Sequence, residues 1–149
     1  MQLTTRGRYA VTAMLDLALR EDCAPIRLAD IAQRQGISLS YLEQLFAQLR
    51  RSGLVLSVRG PGGGYRLARK HHLLSVSDII DSVNERIDAT RCDGRGDCQQ
   101  GATCLTHHLW VELSANLHEF LRGITIADLI RDNAAGQDRG ATELDVSAD

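Results

Sequence analysis

Aromatic residues are scarce in this 149-residue chain, where Phe, Trp and Tyr make up only 4% of the sequence. A core that depends on Leu, Ile, Val and Ala favours helices over a β-sandwich or β-barrel, which are richer in β-branched and aromatic side chains. No apolar run approaches the roughly 20 residues that a membrane-spanning helix needs. The N-terminal segment lacks the apolar core and small-residue cleavage site of a signal peptide. We therefore expect a mainly α-helical, cytoplasmic protein with no membrane partner.

Lysine is almost absent, since 16 of the 17 basic residues are Arg. The guanidinium group of Arg can form two parallel hydrogen bonds to a phosphate or to the edge of a guanine, although genome composition explains such a bias equally well.

The charge is also divided along the chain. Residues 1–70 hold 11 Lys+Arg and 5 Asp+Glu, a net of +6, whereas residues 71–149 hold 6 and 14, a net of −8. Only the first half is therefore expected to bind a polyanion.

The first half contains the spacing of a helix-turn-helix. Helical periodicity predicts helices over 4–20 and 28–35, and Gly36 ends the second because Gly accepts a left-handed turn cheaply. Ala32 lies four residues before this Gly, and Leu42 lies six after it. A small residue where the helices cross, a Gly in the turn and an apolar residue on the next helix are what the motif needs.

A two-stranded hairpin is predicted after the third helix, which begins near Ser40. Its strands are expected at Leu54–Val58 and Tyr65–Leu67, and the loop between them has four Gly and one Pro in six residues. Such a loop is also typical of a flexible hairpin with no partner. A helix-turn-helix followed by a hairpin nevertheless describes a winged helix, so the predicted fold is mainly α with a small β-hairpin wing.

In a winged helix, the third helix enters the major groove with its N-terminal residues leading. Glu43 can accept from a cytosine amine and Gln44 can pair with adenine. The stretch from Ser40 to Glu43 also reads as a capping box, so both a base contact and a cap remain open for Glu43. Basic residues at the far end of this helix, at the wing and near the N-terminus suit phosphates or a narrow minor groove. The candidate DNA-binding residues are Ser38, Ser40, Tyr41, Glu43, Gln44, Arg50, Arg51, Arg59 and Gly60, with Arg6 and Arg8 adding charge.

The second half has a less regular pattern. Four elements are predicted there: a helix at 75–83, a polar loop at 88–103, a helix at 104–121 and a short helix at 125–130. The last stretch has few large apolar residues and is predicted to be disordered. The chain is accordingly divided into a DNA-binding domain at 1–72, a loop-and-helix region at 73–131 and a disordered tail at 132–149.

Three of the four cysteines and one histidine form the pattern C-x5-C-x5-C-x2-H, whereas Cys23 stands alone. Cys104 and His107 lie one turn apart at a predicted helix start, so both can face one point, and the helix N-terminus favours a thiolate. The cytosolic expectation and an odd number of thiols disfavour disulfides. Three thiols and one imidazole suit either a structural zinc or an iron–sulfur cluster, and the missing C-x2-C knuckle leans away from zinc.

Catalysis is not expected, because no nucleophile, base and orienting group come together outside the cysteine loop. A cluster-transfer scaffold remains an alternative from another class.

Four segments in order, LTTRGRYAVTAMLDLAL, ISLSYLEQLF, RGPGGGY and DATRC through CLTHHLW, resemble the IscR family of bacterial regulators of iron–sulfur cluster assembly. The resemblance covers residues 1 to about 130. It implies a homodimeric winged helix-turn-helix protein with a C-terminal dimerisation helix, bound to palindromic promoter DNA. It also implies a [2Fe–2S] cluster and repression of cluster-assembly genes by the loaded protein.

The same resemblance implies particular site residues and partners. The implied cluster ligands are Cys92, Cys98, Cys104 and His107. Dimerisation is implied for the helix from Cys104, through Leu105, Leu109, Leu113, Leu117 and Phe120. Cluster-assembly scaffold proteins are the expected cluster donors, and a bacterial regulator of this kind is expected at the nucleoid.

Overall fold

The computed structural model describes residues 5–20, 24–85, 87–90 and 92–146, with side chains described up to Gly136. Thr4, Cys23 and the last three residues of the predicted tail lie outside these ranges. The elements are α1 (Thr5–Arg20), α2 (Leu28–Gln35), α3 (Leu39–Arg51), β1 (Val55–Val58), β2 (Gly64–Leu67), a 3-10 turn (His71–Leu73), α4 (Val76–Ser82), α5 (His107–Arg122) and α6 (Ile126–Val146). Across the residues described, none of the helices combines the length and the hydropathy needed to cross a bilayer.

The N-terminal elements form a helix-turn-helix with an antiparallel hairpin, which confirms the predicted fold class. Gly36 follows α2 in a left-handed conformation, with φ 65°, and its N–H donates to the Ala32 carbonyl. β1 pairs with β2 in the register Val55 to Leu67 and Val58 to Gly64. The hairpin is also joined to the segment before α2, because Ile26 and Tyr65 exchange backbone hydrogen bonds of 3.0 and 2.8 Å.

A continuous apolar core joins the two halves of the chain. Met14 of α1, Phe46 of α3, Ile79 of α4 and Ile126 of α6 are all fully buried in it. In each of these helices, apolar residues recur at helical spacing and form one face. The face that the sequence predicts as apolar is the face that packs into the core. The boundary predicted near residue 72 remains a prediction.

A buried carboxylate ties α1 to the helix-turn-helix. Asp16 accepts two hydrogen bonds from the Arg34 guanidinium, at 2.6 and 3.1 Å, and one from the Gln35 amide at 2.8 Å. Burial raises the pKa of Asp16, but the hydrogen bonds from Arg34 and Gln35 outweigh it, and the pKa lies below its ordinary value. This link sets the position of α2, and through Gly36 that of α3, relative to α1.

The start of α3 differs from the capping box predicted at Ser40 and Glu43. The helix begins at Leu39, and Ser38 is the N-cap, since its hydroxyl accepts from the Tyr41 N–H at 3.1 Å. Two serines separated by one residue offer the same local signal, and the backbone of Ser38, rather than Ser40, has the extended conformation that a cap needs. Glu43 is therefore an exposed helical residue without a capping role.

Two boundaries in the second half also differ from the predicted ones. α5 begins at His107, not at Cys104, because the His107 N–H bonds to the Cys104 carbonyl in a tighter turn, and an α-helical hydrogen bond first runs from the Trp110 N–H to the Thr106 carbonyl. α6 continues to Val146, although a short helix ending near Ile130 and a disordered tail from 132 were expected. The disorder prediction rested on a lack of apolar residues. Helical hydrogen bonds do not require an apolar face, and no proline interrupts this segment.

Candidate metal centre and nucleic-acid interface

Cys92, Cys98 and His107 converge on one point beside the N-terminus of α5. The His107 Nδ1 atom lies 3.5 Å from Cys92 Sγ and 3.6 Å from Cys98 Sγ, and the three ligand atoms all lie within 4.8 Å of one another. Cys92 is 4% exposed and His107 is 8% exposed. Two thiols and an imidazole gathered in a largely buried site form a donor set for a metal ion or an iron–sulfur cluster.

Cys104 lies next to this compact group without belonging to it. Its N–H donates to Cys98 Sγ at 3.0 Å, and its own Sγ lies 3.9 Å from the Thr106 hydroxyl. The neighbouring Cys104 thiol raises the pKa of Cys98, and the neighbouring Cys98 thiol lowers that of Cys104. The four residues singled out by the sequence pattern are therefore neighbours, with Cys104 in the turn before α5 rather than on its first turn.

The loop backbone places N–H groups against sulfur. Gly96 donates to Cys92 Sγ at 3.4 Å, and Asp93, Gly94 and Gly96 have positive φ values of 52°, 77° and 83°. Burial raises the pKa of Cys92, but hydrogen bonds to its sulfur, led by that from the Gly96 N–H, outweigh it and lower that pKa. Gly94 and Gly96 adopt their left-handed conformations at little cost, so they shape the backbone of the site. Thiolate, the form that binds metal, is stabilised there before any metal arrives.

A cavity of about 640 Å³ adjoins the cysteines and is lined by Cys98, Cys104, His107, Trp110 and Leu113, among others. The indole N–H of Trp110 donates to the Thr106 hydroxyl at 2.9 Å. Sequence reasoning did not identify Trp110 or Thr106 as parts of this site. Their signal is the spacing, because Thr106, Trp110 and Leu113 follow one another at helical intervals beside His107.

Several of the predicted DNA-binding residues, from α1 and α3, lie on one side of the N-terminal unit. Tyr41 is half-buried and makes an edge contact with the Tyr9 ring, whereas the other eight residues predicted from the third helix and the wing are exposed. A hollow of about 420 Å³ is lined by six of the polar or charged side chains of this side, Arg6, Tyr41, Glu43, Gln44, Gln48 and Arg51. Arg50 has an internal partner as well, since its guanidinium donates to Ser57 of β1 at 3.4 Å.

The glycines of the wing are required by close backbone contacts. A Cβ added at Gly64 would lie 2.4 Å from the Ile26 carbonyl oxygen, and one at Gly63 would lie 2.3 Å from the Val58 oxygen. The hairpin is thus bonded to the segment before α2, and a DNA contact by its loop stays a prediction. Arg59 and Gly60 are presented at its exposed tip.

The helix expected to dimerise, α5, carries apolar side chains that the single chain leaves uncovered. Leu105, just before the helix, is fully exposed, while Leu109 is 55% and Phe120 is 64% exposed. Leu113 and Leu117 are half-buried. Contiguous apolar surface of this kind marks an interaction site in a soluble protein.

The chain is similar in sequence to known transcriptional regulators. The sequence profile of the Rrf2 family, described as an iron-dependent transcriptional regulator, matches residues 3–132. The HTH-type transcriptional regulator IscR of Vibrio campbellii is 54% identical over 147 residues, which are 99% of this chain and 88% of that protein. These relatives are named regulators rather than enzymes, as expected from the sequence.

Solved structures show the same architecture. IscR of T. potens superimposes with a TM-score of 0.76 at 39% identity, covering 92% of this chain and 91% of that one. CymR of B. subtilis, named the global cysteine regulator, superimposes with a TM-score of 0.73 at 32% identity, covering 87% and 95% of the two chains.

Proposed function

Because the chain belongs to the Rrf2 family of transcriptional regulators, we propose that it senses an iron–sulfur cluster and binds palindromic promoter DNA as a homodimer. The observation that carries this proposal is the convergence of Cys92, Cys98 and His107, with the Cys104 N–H donating to Cys98 Sγ at 3.0 Å. The same chain presents an exposed helix-turn-helix and wing. A sensor site and a DNA-reading surface in one polypeptide are the parts that a cluster-dependent regulator needs.

The donor set fits a [2Fe–2S] cluster held by Cys92, Cys98, Cys104 and His107. Such a cluster would supply labile iron and redox chemistry. The fraction of the protein that carries a cluster would then report how many clusters the cell can supply. Three thiolates and a neutral imidazole bind less tightly than four thiolates, and the imidazole can be protonated. The N–H groups of Gly96 and Cys104, which already donate to sulfur, would help to hold the ligands in place.

On DNA, the start of α3 would read bases while Arg residues bind phosphates. With the N-cap at Ser38, the exposed carboxylate of Glu43 is available to accept from cytosine and to repel sites that offer no donor. A dimer formed through α5 would place two such helices on the two halves of a palindrome. The loaded protein would repress genes for cluster assembly, with scaffold proteins of that assembly as donors, and act at the nucleoid.

A zinc-stabilised DNA-binding protein is the second candidate. It is favoured by one observation, namely that only three ligand atoms lie within 4.8 Å of one another, a group compact enough for a single ion. Anaerobic purification distinguishes the two candidates. Coloured protein with iron and sulfide in equal amounts supports the cluster, whereas colourless protein with zinc supports the second candidate.

Binding to promoter DNA upstream of cluster-assembly genes tests the regulatory part. We expect the cluster-loaded protein to shift a palindromic fragment at lower concentration than Cys92→Ala does, and we expect its affinity to fall steeply with salt because Arg contacts release counterions. Equal binding by loaded protein, stripped protein and Cys92→Ala on every promoter would contradict cluster sensing. A flat salt dependence would contradict the proposed phosphate contacts.

A further inference from the structure

Cys92 lies in a turn that is closed by a neighbouring hydroxyl. Thr90 Oγ1 accepts from the Gly94 N–H at 2.8 Å and donates to the Asp88 carboxylate at 2.6 Å. The same carboxylate oxygen accepts from the Thr90 N–H at 2.7 Å. Thr90 lies two residues before Cys92 and Gly94 two residues after it, so these bonds hold both sides of the turn that presents the sulfur.

This closed turn is also attached to α5. The Ser114 hydroxyl accepts from the Ala89 N–H at 2.7 Å and donates to the Trp110 carbonyl oxygen at 2.7 Å. Ser114 therefore uses both its donor and an acceptor, and its oxygen lies 3.5 Å from the Asp88 carboxylate. We call Asp88, Thr90 and Ser114 the anchor.

Ser114 and the imidazole ligand share one face of α5. Ser114 follows His107 by seven residues, which is two helical turns. One helix thus holds His107 directly and Cys92 indirectly, through Ser114 and the Ala89 N–H. Cys92 Sγ and His107 Nδ1, which lie 3.5 Å apart, are thus both attached to α5.

We propose that the anchor positions Cys92 against His107 and thereby slows loss of the cluster, with Ser114 as its positioning residue. The inference rests on the proposed cluster-binding function. Hydrogen-bond partners outside the ligand shell orient the ligands, and their removal costs roughly 10–100-fold in metal affinity. Truncating Ser114 leaves the Ala89 N–H without its partner and frees the Cys92 turn from α5. The cluster is then held by a ligand that is no longer preorganised.

The test measures how fast the reconstituted protein loses its visible absorption to an iron chelator under anaerobic conditions. We expect Ser114→Ala and Thr90→Val to lose the cluster at least about tenfold faster than the wild type. Thr90→Ser keeps the hydroxyl and is expected to match the wild type. Because Thr90 is not on α5, agreement between Ser114→Ala and Thr90→Val separates the anchor from a change in the helix itself.

A matched control removes a similar hydroxyl elsewhere. Thr12 of α1 also donates to a carbonyl four residues earlier, that of Arg8, at 2.9 Å, so Thr12→Ala is expected to leave the loss rate unchanged. Rates for Ser114→Ala and Thr90→Val within twofold of the wild type would overturn the anchor, even if the melting temperature of the metal-free protein fell. If the wild type itself took up no iron and sulfide, the proposed function would fail together with the anchor.

Discussion

The Asp16 carboxylate and the Arg34 guanidinium form a two-point hydrogen-bonded pair between α1 and α2, in which the Asp16 side chain is 1% exposed and that of Arg34 is 30% exposed. Arg34 belongs to the basic half of the chain, but its charge is matched by a buried partner. The pair therefore serves the architecture of the DNA-binding unit, and the positive charge available to DNA comes from other arginines.

Asp16→Asn is expected to lower the free energy of unfolding by about 1–3 kcal/mol, because the partly buried Arg34 would lose its charged acceptor. Urea denaturation at neutral pH measures the change. Glu119→Gln, which removes one partner of the exposed Arg122 pair, is the control and should leave stability unchanged. Equal effects of the two substitutions would contradict a special contribution from the buried pair.

The same pair predicts an acid-sensitive stability. The pKa of Asp16 is lowered in the folded protein, so its stabilising contribution is complete above the unfolded value of about 4 and is lost as the pH falls through the folded value. Melting temperatures measured between pH 7 and pH 2 should fall more steeply for the wild type than for Asp16→Asn below about pH 4. Parallel curves would rule out this residue as a source of the acid sensitivity.

The position of the α3 cap gives a third prediction. Ser38→Ala should cost about 1 kcal/mol of stability because the Tyr41 N–H loses its acceptor. Ser40→Ala, two residues away, should change stability by less than about 0.5 kcal/mol. Thermal denaturation of both variants decides which serine caps the helix. A larger loss of stability in Ser40→Ala than in Ser38→Ala would support the capping box at Ser40 and Glu43 instead.

Glu43 provides a prediction about specificity. Glu43→Gln is expected to keep the stability of the wild type, since the residue is exposed and does not cap α3. Its discrimination against operators with a substituted base should weaken by about 1–3 kcal/mol, because the repelling charge is removed and one acceptor oxygen is replaced by a donor NH2. Competition binding with a set of single-base variants measures this, and an unchanged preference at every position would exclude Glu43 from base reading.

The wing glycine provides the last prediction. Gly64→Ala places a Cβ 2.4 Å from the Ile26 oxygen and is expected to cost about 1–3 kcal/mol through overpacking against rigid backbone. Displacing the wing should also weaken DNA binding. Gly136→Ala meets nothing within 4 Å on α6 and is the control, which should not destabilise the protein. Unfolding and DNA-binding curves for the two variants check both effects.

Features encoded by neighbouring residues could be predicted from the sequence. The apolar periodicity of α2 and α4 and the Gly36 turn depend on contacts within a few residues, and the structure shows each of them. The spacing of Cys92, Cys98, Cys104 and His107 likewise identified a candidate site, because so short a segment holds these residues near one another.

The remaining features depend on the conformation of the backbone or on residues far apart in the chain, and only the tertiary structure decided them. Ser38 rather than Ser40 caps α3 because of the conformation of the backbone that enters the helix. Asp16 pairs with Arg34 of another helix, and the local sequence of neither helix shows that the two side chains meet. Ala89 meets Ser114 across 25 residues because the cysteine loop folds back onto α5. Local sequence determines which residues can form a helix, a cap or a ligand, whereas packing determines which of them meet.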